Sequence, residues 1–293
     1  MNQVMVKPTL QLTTRHFRQY KDPGLVDTVK ELAVPRTGFI SLHVMNVGWP
    51  DGPEYPAGRF AVLPIGSPEG NILAQKVVRK YIEPCLKAAR RAKLHIFHVA
   101  PDLVANKYPI SSLEWKPTDI PPYPRKWGNL PDDEDAEDPQ SVHRSDDPEE
   151  HWCEAVPGWS LTRAELVHGP GYQDWDGYQE MDFVTICKPL DGEYVIKTTQ
   201  QLDRLCRRLG VVNLVYAGFS AQGCIQFSPG AIYPMSARGY RCLLIREATL
   251  GTEFPDTTES MLMTKTAVRM VEQKFGLSIG ADDFIRACQQ AAD

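Results

Sequence analysis

Val211 to Gly239 reads VVNLVYAGFSAQGCIQFSPGAIYPMSARG, and this stretch decides the fold. Val211 to Ala217 is an apolar run of strand length, rich in β-branched residues. Gly218 ends it, and small or polar residues lead to Cys224. A cysteine just beyond a buried strand, where a helix begins, meets backbone N–H groups that lack intrahelical partners and a dipole favouring negative charge. That setting is expected to lower the thiol pKa and make Cys224 a nucleophile. A buried structural cysteine is the other reading, since free cysteines often pack as small apolar residues.

Flanking elements extend the pattern. Asp182-Phe-Val-Thr-Ile-Cys-Lys188-Pro189 reads as a short strand ending in a lysine. Thr198 to Leu209 reads as an amphipathic helix, with Leu202, Leu205, Cys206 and Leu209 at helical spacing. Gly239-Tyr240 then introduces a strand from Arg241 to Arg246. Proline at 229 breaks any helix that starts at Cys224, so a short turn, a kink and a second segment are expected.

Upstream, Gly38 to Met45 (GFISLHVM) reads as a strand, and the Gly- and Pro-rich loop from Gly48 to Gly66 follows it. Glu69 to Arg90 carries an apolar face at helical spacing, and Leu94 to Val99 is the next strand. His95 and His98 lie three apart, so on a strand they face opposite sides and cannot share a metal. Residues 1–35 read as an irregular arm with a short helix near Asp27 to Ala33. Thr257 to Phe275 and Ala281 to Ala291 read as closing helices, with Asp282 and Asp283 suited to the start of the last.

The order strand-Lys-Pro, helix, strand-Gly, five residues, Cys, helix, Gly-Tyr, strand resembles the isochorismatase-like cysteine hydrolases. The resemblance spans roughly residues 36–99 and 182–285. It implies a three-layer α/β/α fold around a mainly parallel, Rossmann-like sheet, the whole chain forming one domain with an insertion near residues 101–181. It further implies that Cys224 attacks an amide, ureide or related carbonyl and forms an acyl-cysteine that water hydrolyses. Lys188 stands at the family's activating lysine, and the amides of Ser220 and Cys224 stand at its oxyanion hole, after a cis peptide between Phe219 and Ser220. His43 occupies the position of the family's base aspartate, and Asn46 that of a frequent asparagine. Asn46, Trp49 and Phe219 are the expected substrate-contacting residues, with Tyr55 and Phe60 as further candidates to line a pocket or to pack. Asp51 sits in a Trp-Pro-Asp-Gly turn and reads as a loop residue.

The histidine leaves two accounts open. An imidazole can serve as base beside a cysteine. Alternatively the site has lost its base, and the fold is a repurposed relative that binds a small molecule or a partner. Isochorismate-type ether hydrolysis, which needs no cysteine, is a third possibility.

Composition narrows the classes. The chain has 293 residues, 42% hydrophobic and 24% charged, the balance of an ordinary globular protein. A net charge of -5 without a basic cluster argues against nucleic acid as a partner. No apolar run reaches membrane-spanning length, and the first twenty residues lack a signal-peptide core. Seven scattered cysteines with no CxxC pair suggest a reducing compartment, so a cytoplasmic location is expected. No metal and no cofactor is expected, because no Asp-x-His cluster follows the first strand and His143, His151 and His168 match no ligand spacing. The expected partner is a small-molecule substrate, and the resemblance implies a homo-oligomer. Residues 101–181 hold acidic runs and Trp115, Trp127, Trp152, Trp159 and Trp175, read as a lid or an interface arm with a flexible middle near Asp132 to Asp147.

Overall fold

The structure is a computed structural model, and it describes residues 8–56, 67–108 and 175–292. Phe60, four of the insertion's five tryptophans, its three histidines and its acidic middle lie outside the described residues.

Eight strands form one sheet in the order β2-β1-β8-β7-β6-β3-β4-β5. They are β1 (Thr9–Arg18), β2 (Gly24–Ala33), β3 (Thr37–Leu42), β4 (His95–Val99), β5 (Tyr194–Ile196), β6 (Asn213–Phe219), β7 (Arg241–Leu250) and β8 (Leu277–Ile279). From β8 through β5 all pairs are parallel, while β1 runs antiparallel to both β2 and β8. Parallel strands need both faces covered, and the central ones are apolar on both. β3 and β6 are buried at every position.

Helices supply the two outer layers. On one face lie α1 (Pro68–Val77), α2 (Glu83–Arg91) and α9 (Ala281–Ala292), packing Val78, Ile82, Leu86, Phe284 and Cys288 against Phe39, Val215 and Leu243. On the other lie α5 (Thr199–Leu209), α6 (Cys224–Phe227), α7 (Ile232–Ala237) and α8 (Leu262–Met270). There Leu202, Leu205, Ile232 and Met235 meet Ile40, Phe97 and Tyr216. The three-layer α/β/α architecture expected from the sequence is therefore the observed one.

Several local expectations are corrected. The amino-terminal arm is a β-hairpin, with no helix at Asp27 to Ala33. Leu10, Leu12 and Thr14 are buried while Thr9, Gln11 and Thr13 are exposed, a period of two that β pairing satisfies. The helix expected from Glu69 to Arg90 is interrupted over Val78–Ile82 by wider turns, because Pro84 has no N–H to give to Lys80. Residues 257–261 form turns, and the helix starts at Leu262.

Asp182 to Lys188 is not a sheet strand. Phe183 forms one bridge with Met45, and Thr185–Cys187 is a 3-10 turn. Side chains take the amides that a strand would need: Phe183 N–H donates to Asp182 Oδ1 (2.7 Å) and Thr185 N–H to Asp51 Oδ2 (3.2 Å). The strand of this region is β5, and the residue that follows it is Lys197.

The segments on either side of residues 109–174 meet on the sheet. Here α3 (Asp102–Ala105) and α4 (Gly177–Glu180) join Met45, Val47, Ala100, Met181 and Phe183 in a small apolar cluster at the carboxyl ends of β3 and β4. Lys107 Nζ donates to the carbonyls of Gln179 (2.7 Å) and Met181 (2.8 Å).

Candidate active site

In open α/β sheets, sites form outside the carboxyl ends of the strands. Here β3 and β6 lie side by side, Leu42 pairing with Gly218 at that end. Gly218 has φ 134, and a Cβ there would lie 1.9 Å from Leu42 O, so only glycine fits. The β6–β7 register shifts between Tyr216 and Gly218, and Thr249 Oγ1 donates to the Gly218 carbonyl (2.8 Å).

From this crossing the chain turns towards the nucleophile. The Phe219–Ser220 peptide is cis. Ser220's carbonyl accepts from the amides of Gly223 (3.2 Å) and Ile225 (3.0 Å), which folds the loop back on itself and starts α6 at Cys224. The backbone amides of Ser220 and Cys224 lie close enough to the Cys224 sulfur to favour its thiolate. Ser228 closes the turn, its hydroxyl (2.7 Å) and its N–H (3.2 Å) both donating to Cys224 O. Pro229 follows, and α7 begins at Ile232, so the helix is split as the proline requires.

Burial dominates the thiol's electrostatics. It pushes the Cys224 pKa above its ordinary value, while the Ser220 and Cys224 amides pull the other way by bonding the thiolate. The expectation of a depressed pKa is corrected accordingly: at neutral pH this sulfur rests as a thiol. The four-residue α6 offers too short a dipole to overcome desolvation.

His43 follows β3 directly and lies in the left-handed region (φ 53), its N–H donating to Val99 O (2.9 Å). It is 8% exposed, and burial lowers its pKa to about 4. Its ring is therefore neutral at pH 7, and burial makes it a weak base that takes a proton only as one is pushed onto it. Among the described residues the ring has no hydrogen-bonding side chain as partner.

The two lysines of this region sit differently. Lys188 follows the 3-10 turn, its ammonium paired with Asp182 (2.8 Å) and its carbonyl accepting from Arg90 at the end of α2 (2.9 Å). Tyr108 donates to the same carboxylate (2.6 Å). Burial alone would raise the Asp182 pKa, but bonds from Lys188, Tyr108 and the Phe183 amide hold it below its ordinary value. Lys197 stands at the carboxyl end of β5, where Ala100 N–H bonds Ile196 O (3.0 Å). Its ammonium donates to Asn106 Oδ1 (3.2 Å). Two residues on, Thr199 Oγ1 accepts from Gly230 N–H (3.0 Å), which ties the start of α5 to the segment following Cys224. The topology thus puts Lys197, rather than Lys188, at the sheet edge where β3 and β6 also end. A signal for it exists in the sequence: Tyr-Val-Ile-Lys197 is a short β-rich run closed by a lysine. Thr198 and Gln201, a capping box, mark the next helix.

The expected substrate-contacting residues are all engaged elsewhere. Asn46 is 2% exposed; its amide donates to Asp51 O (2.9 Å) and its oxygen accepts from Asp182 N–H (2.8 Å). Trp49 is buried with the Arg79 guanidinium 4.4 Å above its ring, and Phe219 is buried in the core beside α1 and α2. Asp51 accepts from the Thr185 amide and hydroxyl. Tyr55 packs partly buried with the small cluster at the sheet end. Among the described residues, no group of three His, Cys, Asp or Glu could hold a metal. No described helix is long and apolar enough to cross a membrane.

No protein-family model matches the chain, and no curated protein does. Among solved structures it is similar to a cysteine hydrolase from Pseudomonas syringae pv. phaseolicola, at 12% identity over 89% of this chain and 95% of that one, TM-score 0.49. An isochorismatase family protein from Burkholderia thailandensis shows 17% identity, covering 87% and 96%, with TM-score 0.42. N-carbamoylsarcosine amidase from Thermoplasma acidophilum shows 16% identity, covering 84% and 97%, with TM-score 0.38.

Proposed function

We propose that the chain is an isochorismatase-like cysteine hydrolase that cleaves a small amide, ureide or related C–N bond. The observation that carries this reading is the cysteine turn: the cis Phe219–Ser220 peptide and the loop folded on the Ser220 carbonyl set Cys224 at a helix start, where the Ser220 and Cys224 amides favour its thiolate. Two N–H groups beside a sulfur can hold the oxyanion that forms when that sulfur adds to a carbonyl.

In the proposed reaction the Cys224 thiol gives up its proton as Sγ adds to the carbonyl carbon. The neutral His43 imidazole is the base offered by the strand end next to β6. The two amides bind the oxyanion. Collapse breaks the C–N bond, the nitrogen leaves with a proton, and an acyl-cysteine remains. Water then adds to the acyl carbon, and loss of the thiol returns the enzyme. Lys197 supplies positive charge at the same edge of the sheet and favours each anionic step. A thiol raised by burial needs such help, because little thiolate is present at rest.

The test is amine or ammonia release from a panel of small amides and ureides, with intact-mass detection of an acyl adduct. Turnover that disappears in Cys224→Ser supports the reading, and turnover that persists in that variant overturns it. A second reading rests on one observation: the carboxyl end of β3 carries a buried, neutral histidine in place of a carboxylate. On that reading the site binds a small molecule or a partner without turning it over. Saturable binding by wild type and Cys224→Ser alike, with no release from any amide, would favour it.

A further inference from the structure

The sheet has two edges of different kinds. β5 is only three residues long. β2 runs ten residues, from Gly24 to Ala33, and stays in unbroken register with β1 throughout. It contains no proline and no bulge, so of the usual devices that blunt an edge it carries only charge, at Asp27, Lys30 and Glu31. Leu25 and Val29 are 45% and 61% exposed on it, and Tyr20, at the hairpin turn, is 77% exposed.

The outward groups can be assigned. Thr14 Oγ1 donates to Thr28 O (3.0 Å), so that carbonyl turns inward to β1. Alternation then turns the N–H and C=O of Leu25, Asp27, Val29 and Glu31 outward. No described strand pairs with them.

We propose that β2 pairs antiparallel with β2 of a second copy of this chain, making one sheet continuous through a homodimer. A head-to-tail arrangement would need the other edge, and β5 is too short to cover β2. The self-pairing is isologous. Its two-fold axis stands normal to the sheet, so opposed residues lie on the same face and their numbers sum to an even value.

Charge selects among the registers. Sliding the strands sets Asp27 against Asp27, Asp27 against Glu31, or Lys30 against Lys30 in the three neighbouring alignments. Like charges directly opposite destabilise a pair. In the alignment centred on Thr28, Asp27 faces Val29, Val26 faces Lys30 and Leu25 faces Glu31. No like charges are opposed, and pairing runs from Gly24 to Leu32.

The experiment is sedimentation velocity on the full chain across the micromolar range, with three variants. Val29→Pro removes an outward N–H that β1 does not use, and should weaken dimerisation about 100-fold by losing that bond and adding a ring clash in each copy. Thr28→Cys faces itself across the axis and should form an intermolecular disulfide on mild oxidation. Val26→Cys faces Lys30 and should not. Circular dichroism confirms that each variant is folded. A wild-type monomer throughout that range overturns the proposal. So does a dimer whose Thr28→Cys form fails to cross-link, which would mean that the copies meet elsewhere.

Discussion

Gly218 is held against Leu42 so closely that its α-hydrogen takes the only space available, a first side-chain carbon landing 1.9 Å from the Leu42 carbonyl oxygen. The neighbouring strands β3 and β6 thereby bring their ends into contact just before the cysteine turn. Gly218→Ala must both leave its φ of 134 and push back a backbone carbonyl. We expect a loss of at least about 3 kcal/mol, read as a shift in the urea midpoint.

Alkylation reports the state of the sulfur. Because burial holds the Cys224 thiol above its ordinary value, its thiolate fraction climbs with pH throughout the neutral range. The iodoacetamide rate at Cys224, followed by peptide mass, should rise about tenfold per pH unit from 6 to 8 without a plateau. A plateau below pH 7 would mean that an unseen cation stabilises the anion.

The lysines can be told apart. Lys197→Met should lower turnover of whichever amide proves active by about 100-fold or more, through loss of charge at the strand end. Lys188→Met should change turnover by less than about tenfold, because that ammonium is spent on Asp182. The reverse ranking would return the role to Lys188.

His43 makes acid stability pH-dependent. Its folded pKa is about 4 against an ordinary 6.5, so the unfolded chain binds a proton that the folded chain refuses. Stability is then full above pH 6.5 and falls as pH drops towards 4, by about 3 kcal/mol in all. His43→Asn should flatten that limb of the urea midpoint against pH. Burial also lowers the pKa of His95 and His98, and their share of the slope should remain.

Glu193 links β4 to α2. Its carboxylate meets His98 Nε2 (2.7 Å) and Arg90 Nε (2.7 Å), with the side chain only 10% exposed. Burial would raise its pKa, but His98, Arg90 and the Leu190 amide hold it down to about 2. Its contribution is present above its ordinary 4.5 and lost as pH falls towards 2. Glu193→Ala leaves the buried His98 ring without its carboxylate and the half-buried Arg90 with only the Lys188 carbonyl, and should cost about 2–3 kcal/mol by urea denaturation.

What could be read from the chain follows the length over which a pattern repeats. The β6 run, the α5 helix and the split after Cys224 each rest on several residues with one period or one proline, and each is found. In the β1–β2 hairpin Val29, Leu32 and Ala33 mimic a helical spacing, while the alternation in β1 carries the true period. Lys188 and Lys197 look alike in the sequence, since each closes an apolar run. What separates them is where the Phe183 and Thr185 amides go, a tertiary matter. The thiol's pKa departs from its sequence expectation for a related reason. Helix-start position is written in the sequence, whereas the depth of burial is set by everything packed around it.

Lys107, clasping Gln179 and Met181, brings the segments on either side of residues 109–174 to a common footing on the sheet. A detour that leaves and rejoins at one point imposes no strain on the scaffold it departs from. Changes of length or identity between residues 108 and 175 should therefore leave the strands beneath in their places.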